Sequence, residues 1–382
     1  MEIFLFDLDG VLLNSAGYHR SLVETVRLLS LTLGFGDRGL TQEEIDAFEA
    51  RDITAEWDSS ALCAALLLVT AWEANDYVSL PTRPPPGLPR PARHAFPDIR
   101  RFLAELDRRR PNDPLAEAEA SLLRRIDARR PDHAASVRSL LAGARSLDDS
   151  LTFRLVQMYN LGSRMFEEIY GEAAGMESPS FLERYDLPTL NEEERASLLR
   201  ELGQHERSAA IVTNRPSLSP ASVFNTPEAE IGTHAAGFED MPRIASGDLG
   251  WQATALGLDA QTFLKPSPVH VLAGLRRAAG DEGPQAVERA IRLAHGGDGR
   301  DPIWRPYDGA RLVLFEAAPK GHWSARGAVD LLRARGILVR LEQYGVSASS
   351  EKAASLRAAS ARVYETVQAA LDEAMPRWRF PS

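Results

Sequence analysis

Ile3-Phe4-Leu5-Phe6-Asp7-Leu8-Asp9-Gly10-Val11-Leu12 is the stretch that decides the fold: a short apolar run ends in two carboxylates one residue apart, and a glycine follows. Such a run reads as a buried strand. Alternate side chains of an extended strand share a face, so Asp7 and Asp9 at its end can reach one reacting group. Gly10 lets the chain turn sharply away. The pair suits phosphoryl transfer, because one carboxylate can attack phosphorus while the other moves a proton to the leaving oxygen and later from water. Two adjacent acids also suit Mg²⁺. The same residues also describe an acidic strand end closed by a turn, with no chemistry attached.

Outward from this stretch, the pattern after Asn14-Ser15 turns helical, with apolar spacing through His19 to Leu33 and Glu43 to Leu68. Seven prolines between Leu80 and Pro97 exclude a helix interior or central strand there and predict an extended excursion. Helical spacing resumes over Asp98 to Arg110, Pro114 to Arg130, His133 to Ala144 and Leu147 to Tyr170, the last closed by Gly171. Residues 14–184 read as one inserted helical domain. Arg108-Arg109-Arg110 and Arg129-Arg130 read as solvated faces or helix ends. From Glu192 helices alternate with short apolar strands: helix Glu192 to Leu202, strand Ser208 to Thr213, strand Arg243 to Ser246, helix Pro268 to Ala279, strand Arg311 to Glu316, helix Ser324 to Arg335, strand Ile337 to Glu342. Alternation of this kind predicts an α/β core with a parallel sheet, assembled from residues 1–13 and 185–382. Ligands of such sheets bind at the carboxyl ends of the strands, where Asp7, Thr213 and Glu316 would gather.

The 382 residues, 44% hydrophobic, suffice for about two globular domains. A net charge of −10 argues against general nucleic-acid binding, which needs excess Lys and Arg. No apolar run approaches membrane-spanning length and the first residues form no charged, cleavable leader, so the expectation is a cytoplasmic protein without a membrane partner. The single cysteine, Cys63, has no disulfide partner and reads as a core residue. Only three lysines occur, Lys265, Lys320 and Lys352, against abundant arginine. Where any cation would serve this chain uses Arg, so Lys265 signals a need for a compact ammonium.

Phe6-Asp7-Leu8-Asp9-Gly10-Val11-Leu12-Leu13-Asn14-Ser15 resembles motif I of the haloacid dehalogenase (HAD) superfamily, whose members are mostly phosphatases and phosphomutases. The resemblance implies a HAD-like Rossmannoid parallel sheet with an inserted all-α cap. Ala209-Ala210-Ile211-Val212-Thr213-Asn214-Arg215-Pro216 resembles motif II, which implies that Thr213, with neighbouring groups such as Asn214 and Gly10, holds phosphoryl oxygens. Hydroxyl and amide donors at a strand end fit that task. Phe263-Leu264-Lys265-Pro266-Ser267-Pro268 resembles motif III, in which the Lys neutralises the nucleophilic aspartate, with Leu249 to Thr262 an extra excursion before it. Val313-Leu314-Phe315-Glu316-Ala317-Ala318-Pro319-Lys320-Gly321 resembles motif IV, with Ala317 where the family carries Asp. The metal set implied is Asp7, Asp9 and Glu316 around Mg²⁺, one acid short. Gly296-Gly297-Asp298-Gly299-Arg300-Asp301 resembles the family's alternative Gly-Asp motif and ranks second as a rival assignment of motif IV; it also reads as a solvated loop whose acids could replace the lost ligand. Ser15-Ala16-Gly17-Tyr18-His19 resembles the cap entry of β-phosphoglucomutase-like members, which places His19 near substrate; it also reads as a helix-start His bonded to a backbone carbonyl.

The expectation is therefore a Mg²⁺-dependent phosphatase of a small phosphorylated metabolite. Asp7 would be its nucleophile, Asp9 its acid and base, and Thr213 with Lys265 its phosphoryl clamp. A phosphomutase, or a binding or scaffold protein that has lost catalysis with the acid at position 317, are the alternatives. Dehalogenation is disfavoured because the relatives that perform it lack the acid at the position of Asp9.

Overall fold

The computed structural model describes all residues except 52, 85–86, 107–113, 205, 219–224, 297–301, 377 and 379–382. The chain divides into two compact units, one of Met1–Ser15 with Asp186–Ser382 and one of Ala16–Tyr185.

The first unit holds a six-stranded sheet built from β1 (Glu2–Phe6), β4 (Arg207–Val212), β5 (Arg243–Ile244), β6 (Arg311–Glu316), β7 (Arg340–Val346) and β8 (Arg362–Tyr364). Between β1 and β4 in sequence lie the short β2 (Leu13–Asn14) and β3 (Leu187–Pro188), an antiparallel pair at the two chain crossings. The sheet order is β5-β4-β1-β6-β7-β8, and all its pairings are parallel. The apolar runs make these strands central, because a parallel strand covered on both faces needs no polar side chain. Alternation then sorts the residues: Ile3, Leu5, Val212, Leu312 and Leu314 enter one core with the helices Pro268–Ala278, Gly283–Ala294 and Pro319–Arg333. Phe4, Phe6, Ile211, Val313 and Phe315 enter the opposite core with Glu192–Leu202, Glu228–Ala236 and Val367–Ala374. Phe6 stacks on Phe315 at 4.9 Å between centroids. The fold is thus α/β with helices on both faces, and the order reverses at β1, the place in such a sheet where ligands bind beyond the carboxyl ends of the strands.

Several boundaries differ from the sequence reading. β7 begins at Arg340 rather than Ile337, because Ile337 and Val339 are spent in the core as the chain climbs to pair Arg340 with Arg311. Residues after Arg243-Ile244 leave the strand at once: Asp248 accepts the Ala245 N–H and starts the helix Ser246–Ala255, which, with the 3₁₀ turn Ala260–Phe263, fills the stretch expected as an excursion. The helix following β6 starts five residues early, at Pro319, whose missing N–H costs nothing in a first turn. β8 is too short and polar to announce itself.

The second unit contains nine helices among the described residues, from Ala16–Leu33 to Phe181–Tyr185, around its own apolar core. The continuous helix expected over Glu43 to Leu68 is two, Gln42–Glu49 and Glu56–Glu73; Thr41 and Glu44 form a capping box that starts the first. The expected Leu147 to Tyr170 helix is likewise two, Leu151–Leu161 and Ser163–Tyr170, broken at Gly162. Gly162 has φ +78°, and a Cβ there would sit 2.7 Å from the Ser180 nitrogen. The proline-rich segment carries no helix or strand among its described residues and docks through backbone bonds from Arg90 to Leu31 and from Arg93 and His94 to Gly34. Arg108-Arg109-Arg110 lies outside the described residues. No helix among the described residues is long and apolar enough to cross a membrane.

Candidate active site

β1, β4 and β6 end at one edge of the sheet, because Phe6 is in register with both Ile211 and Phe315. Asp7 therefore follows β1 at the level where β4 passes into Thr213 and β6 ends in Glu316. The Asp7 N–H still bonds to the Phe315 carbonyl at 2.8 Å, which holds the nucleophile candidate on the sheet. Gly10 has φ +75° and closes the following turn by donating to the Leu13 carbonyl at 2.8 Å. A Cβ at Gly10 would lie 2.7 Å from the Ala317 Cβ, so the turn and the loop after β6 pass in contact.

Lys265 reaches this edge from the segment before Pro268–Ala278, its own N–H donating to Asn214 Oδ1 at 3.3 Å. Its ammonium donates to Asp7 Oδ1 at 2.9 Å and to Glu316 Oε2 at 2.7 Å. All three side chains are buried. Burial alone would depress the Lys265 ammonium, yet the Asp7 and Glu316 carboxylates outweigh it and hold the pKa above its ordinary value. Burial, then the charge of Glu316, pushes the Asp7 carboxyl well above the usual carboxylate range against the pull of Lys265. One cation thus faces two buried carboxylates. Glu316 is fixed further by the N–H groups of Ala317 and Ala318, both donating to Oε1, while Lys265 and the Leu8 N–H both fall on Oδ1 of Asp7.

Asp9 lies in a different grip. Its side chain is 34% exposed, and Arg215 donates to both of its oxygens, from Nε at 2.9 and 3.0 Å and from Nη2 to Oδ1 at 2.6 Å. Arg215 Nη2 also donates to Asp186 at 2.8 Å. Thr213 is fully buried, and its hydroxyl oxygen accepts the Arg215 N–H at 3.1 Å. The structure therefore brings Asp7, Lys265 and Glu316 into direct contact and ties Asp9 to the loop of Thr213. His19 belongs to the helical unit, where it pairs with Glu49 at 3.3 Å. Asp298 and Asp301 lie outside the described residues.

Among the described residues no group of three or more His, Cys, Asp or Glu side chains is arranged to hold a metal. Mg²⁺ asks for less, since it commonly takes one or two carboxylates and fills the rest of its shell with water and substrate phosphate. Asp7 and Glu316, two carboxylates sharing one ammonium, fit that demand. The Asp9 side chain is paired with Arg215 instead.

Sequence reasoning missed Arg215 and Asp186. The arginine stands beside Thr213-Asn214 and could have been flagged for its place; Asp186 carries no local signal.

No protein-family model and no curated protein matches the chain. Among solved structures, an X-ray structure of a structural-genomics target aligns over 98% of this chain and 100% of its own at 14% identity, with a TM-score of 0.64. That likeness is one of fold. Phosphatase Tt82 from Thermococcus thioreducens aligns over 89% of this chain and 91% of its own at 13% identity and a TM-score of 0.45. A hydrolase from Pseudomonas syringae aligns over 98% of both chains at 14% identity and a TM-score of 0.34. At such scores the last two have no bearing on the chemistry of this chain.

Proposed function

We propose that the protein is a phosphoric monoester hydrolase that works through an aspartyl-phosphate on Asp7. The observation that carries this reading is the buried Lys265 ammonium bonded to both Asp7 and Glu316 at the carboxyl edge of the sheet. Lys265 keeps a positive charge where an anionic phosphoryl group must approach a carboxylate, which otherwise would repel it. Asp7 attacks phosphorus as the ester oxygen leaves with a proton from Asp9. Asp9, now a carboxylate, takes a proton from the water that attacks the phospho-aspartate, and inorganic phosphate departs with Asp7 restored. Asp7 and Glu316 would hold Mg²⁺, which when bound neutralises charge on the phosphoryl oxygens. The substrate class is a small phosphate monoester.

The test is phosphate release from an aryl phosphate with Mg²⁺, beside Asp7→Asn and a chelator control. The expected outcome is turnover lowered by a factor of about 10³ or more in Asp7→Asn and abolished by chelation. A folded protein inactive on this ester and on a broad panel would instead fit the phosphate-binding or scaffold role.

A further inference from the structure

We infer that Arg215 is a positioning residue that aims Asp9 at the leaving-group oxygen, an inference that rests on the phosphatase reading. The guanidinium is 1% exposed and meets Asp9 with a two-point grip on one side and the wholly buried Asp186 on the other. Asp9 itself is 34% exposed. A partly open carboxylate is thus anchored from behind by a buried, planar fork, the geometry that fixes a carboxylate plane rather than only its charge.

The fork is immobilised in turn. Its Nη1 lies 3.3 Å from the Glu228 carbonyl, and a Cβ at Gly232 would fall 2.6 Å from the same nitrogen, so the helix Glu228–Ala236 presses directly on the guanidinium. Asp186 opens the segment in which β3 pairs with β2 and Thr189 bonds to the Val11 carbonyl at 2.6 Å. The loop carrying Asp9 is therefore held on its C-terminal side by the segment that begins at Asp186. Rigid support of this kind matters for a group that must deliver a proton along one direction and then withdraw one from water along nearly the same line.

A positioning role has a signature that a structural role lacks. Asp9 gives its proton to the leaving oxygen as the P–O bond breaks. An alkoxide cannot leave without that proton, whereas a nitrophenolate can. The second step, attack of water on phospho-Asp7, needs Asp9 for every substrate. For Arg215→Met the expected fall in kcat/KM is about 100-fold on an alkyl phosphate and less than about threefold on p-nitrophenyl phosphate. The kcat falls on both esters, and a burst of nitrophenol marks accumulation of phospho-Asp7. Arg215→Lys, which keeps the charge beside Asp186 but loses the two-point grip, shows the same pattern in weaker form and serves if the Met variant does not fold. In an Asp9→Asn background Arg215→Met causes no further loss beyond about twofold. Equal falls in kcat/KM on the two esters, or full additivity with Asp9→Asn, overturn the positioning role while leaving the phosphatase standing. Wild type inactive on both esters overturns the phosphatase reading, and this inference with it.

Discussion

Lys265 is one of three lysines in an arginine-rich chain, and its site explains the choice. A single compact ammonium between Asp7 Oδ1 and Glu316 Oε2 satisfies two buried carboxylates that a planar guanidinium would have to straddle. Replacing Lys265 by Met leaves both carboxylates buried without their cation, which is expected to cost about 3–5 kcal/mol. The sign with pH follows from Asp7, whose carboxyl sits above its unfolded value and rises further without Lys265. The unfolded chain then releases a proton that the folded chain keeps, so the deficit shrinks as pH falls from the folded pKa of the variant toward that of wild type. Urea unfolding of wild type and Lys265→Met at pH 7 and pH 5 measures it; a deficit that does not change with pH contradicts the account. Asp7, Asp9, Thr213, Lys265 and Glu316 were all legible as candidates because each stands at the end of an apolar run or before a proline-started helix. Their division into two clusters was not, since it depends on which cation reaches which carboxylate across roughly 200 residues of chain, the spacing of Arg215 from Asp9.

At the scale of elements, the helix Pro319–Arg333 is bound to β7 by a buried polar contact, Gln343 Nε2 donating to His322 Nδ1 at 3.0 Å. A ring nitrogen that accepts a hydrogen bond carries no proton, and burial, helped by the nearby charge of Lys265, holds His322 down at about 4. The unfolded His takes up its proton near pH 6.5. Between those values the unfolded chain binds a proton that the folded chain refuses, so this residue withdraws up to about 3 kcal/mol of stability as pH falls from 6.5 toward 4. His322→Gln removes that withdrawal. The expected result is a variant that is less stable than wild type at pH 7 and closes the gap at pH 4.5, read from urea midpoints; parallel curves would sink the assignment. Element identity along β1, β4 and β6 was readable from continuous apolar runs. The breaks at Gly162 and between Glu49 and Glu56 were not, because helical spacing persists across them and only tertiary contact makes a kink cheaper than a straight helix.

At the scale of the whole molecule, among the described residues the apolar core of Ala16–Tyr185 contains no residue of the other unit, and the two cores flanking the sheet contain none of its own. Cooperativity follows shared cores, so heating is expected to produce two transitions rather than one. Phe166→Ala, which opens a cavity in the helical core, should destabilise one transition by about 3–5 kcal/mol and leave the other in place. A single transition that moves as a whole under calorimetry would contradict this. The α/β class was set by sequence alone, as was the gathering of Asp7, Thr213 and Glu316 at one strand edge. Both follow from local physics: alternation of strand and helix patterns dictates a parallel sheet, and residues that follow its strands meet at its carboxyl edge. What only the tertiary structure decided is the pairing of charges there, Lys265 with Asp7 and Glu316, Arg215 with Asp9 and Asp186. Ion pairing between segments far apart in the chain is settled by which side chains the packed helices leave within about 3 Å of each other, a distance no sequence spacing encodes.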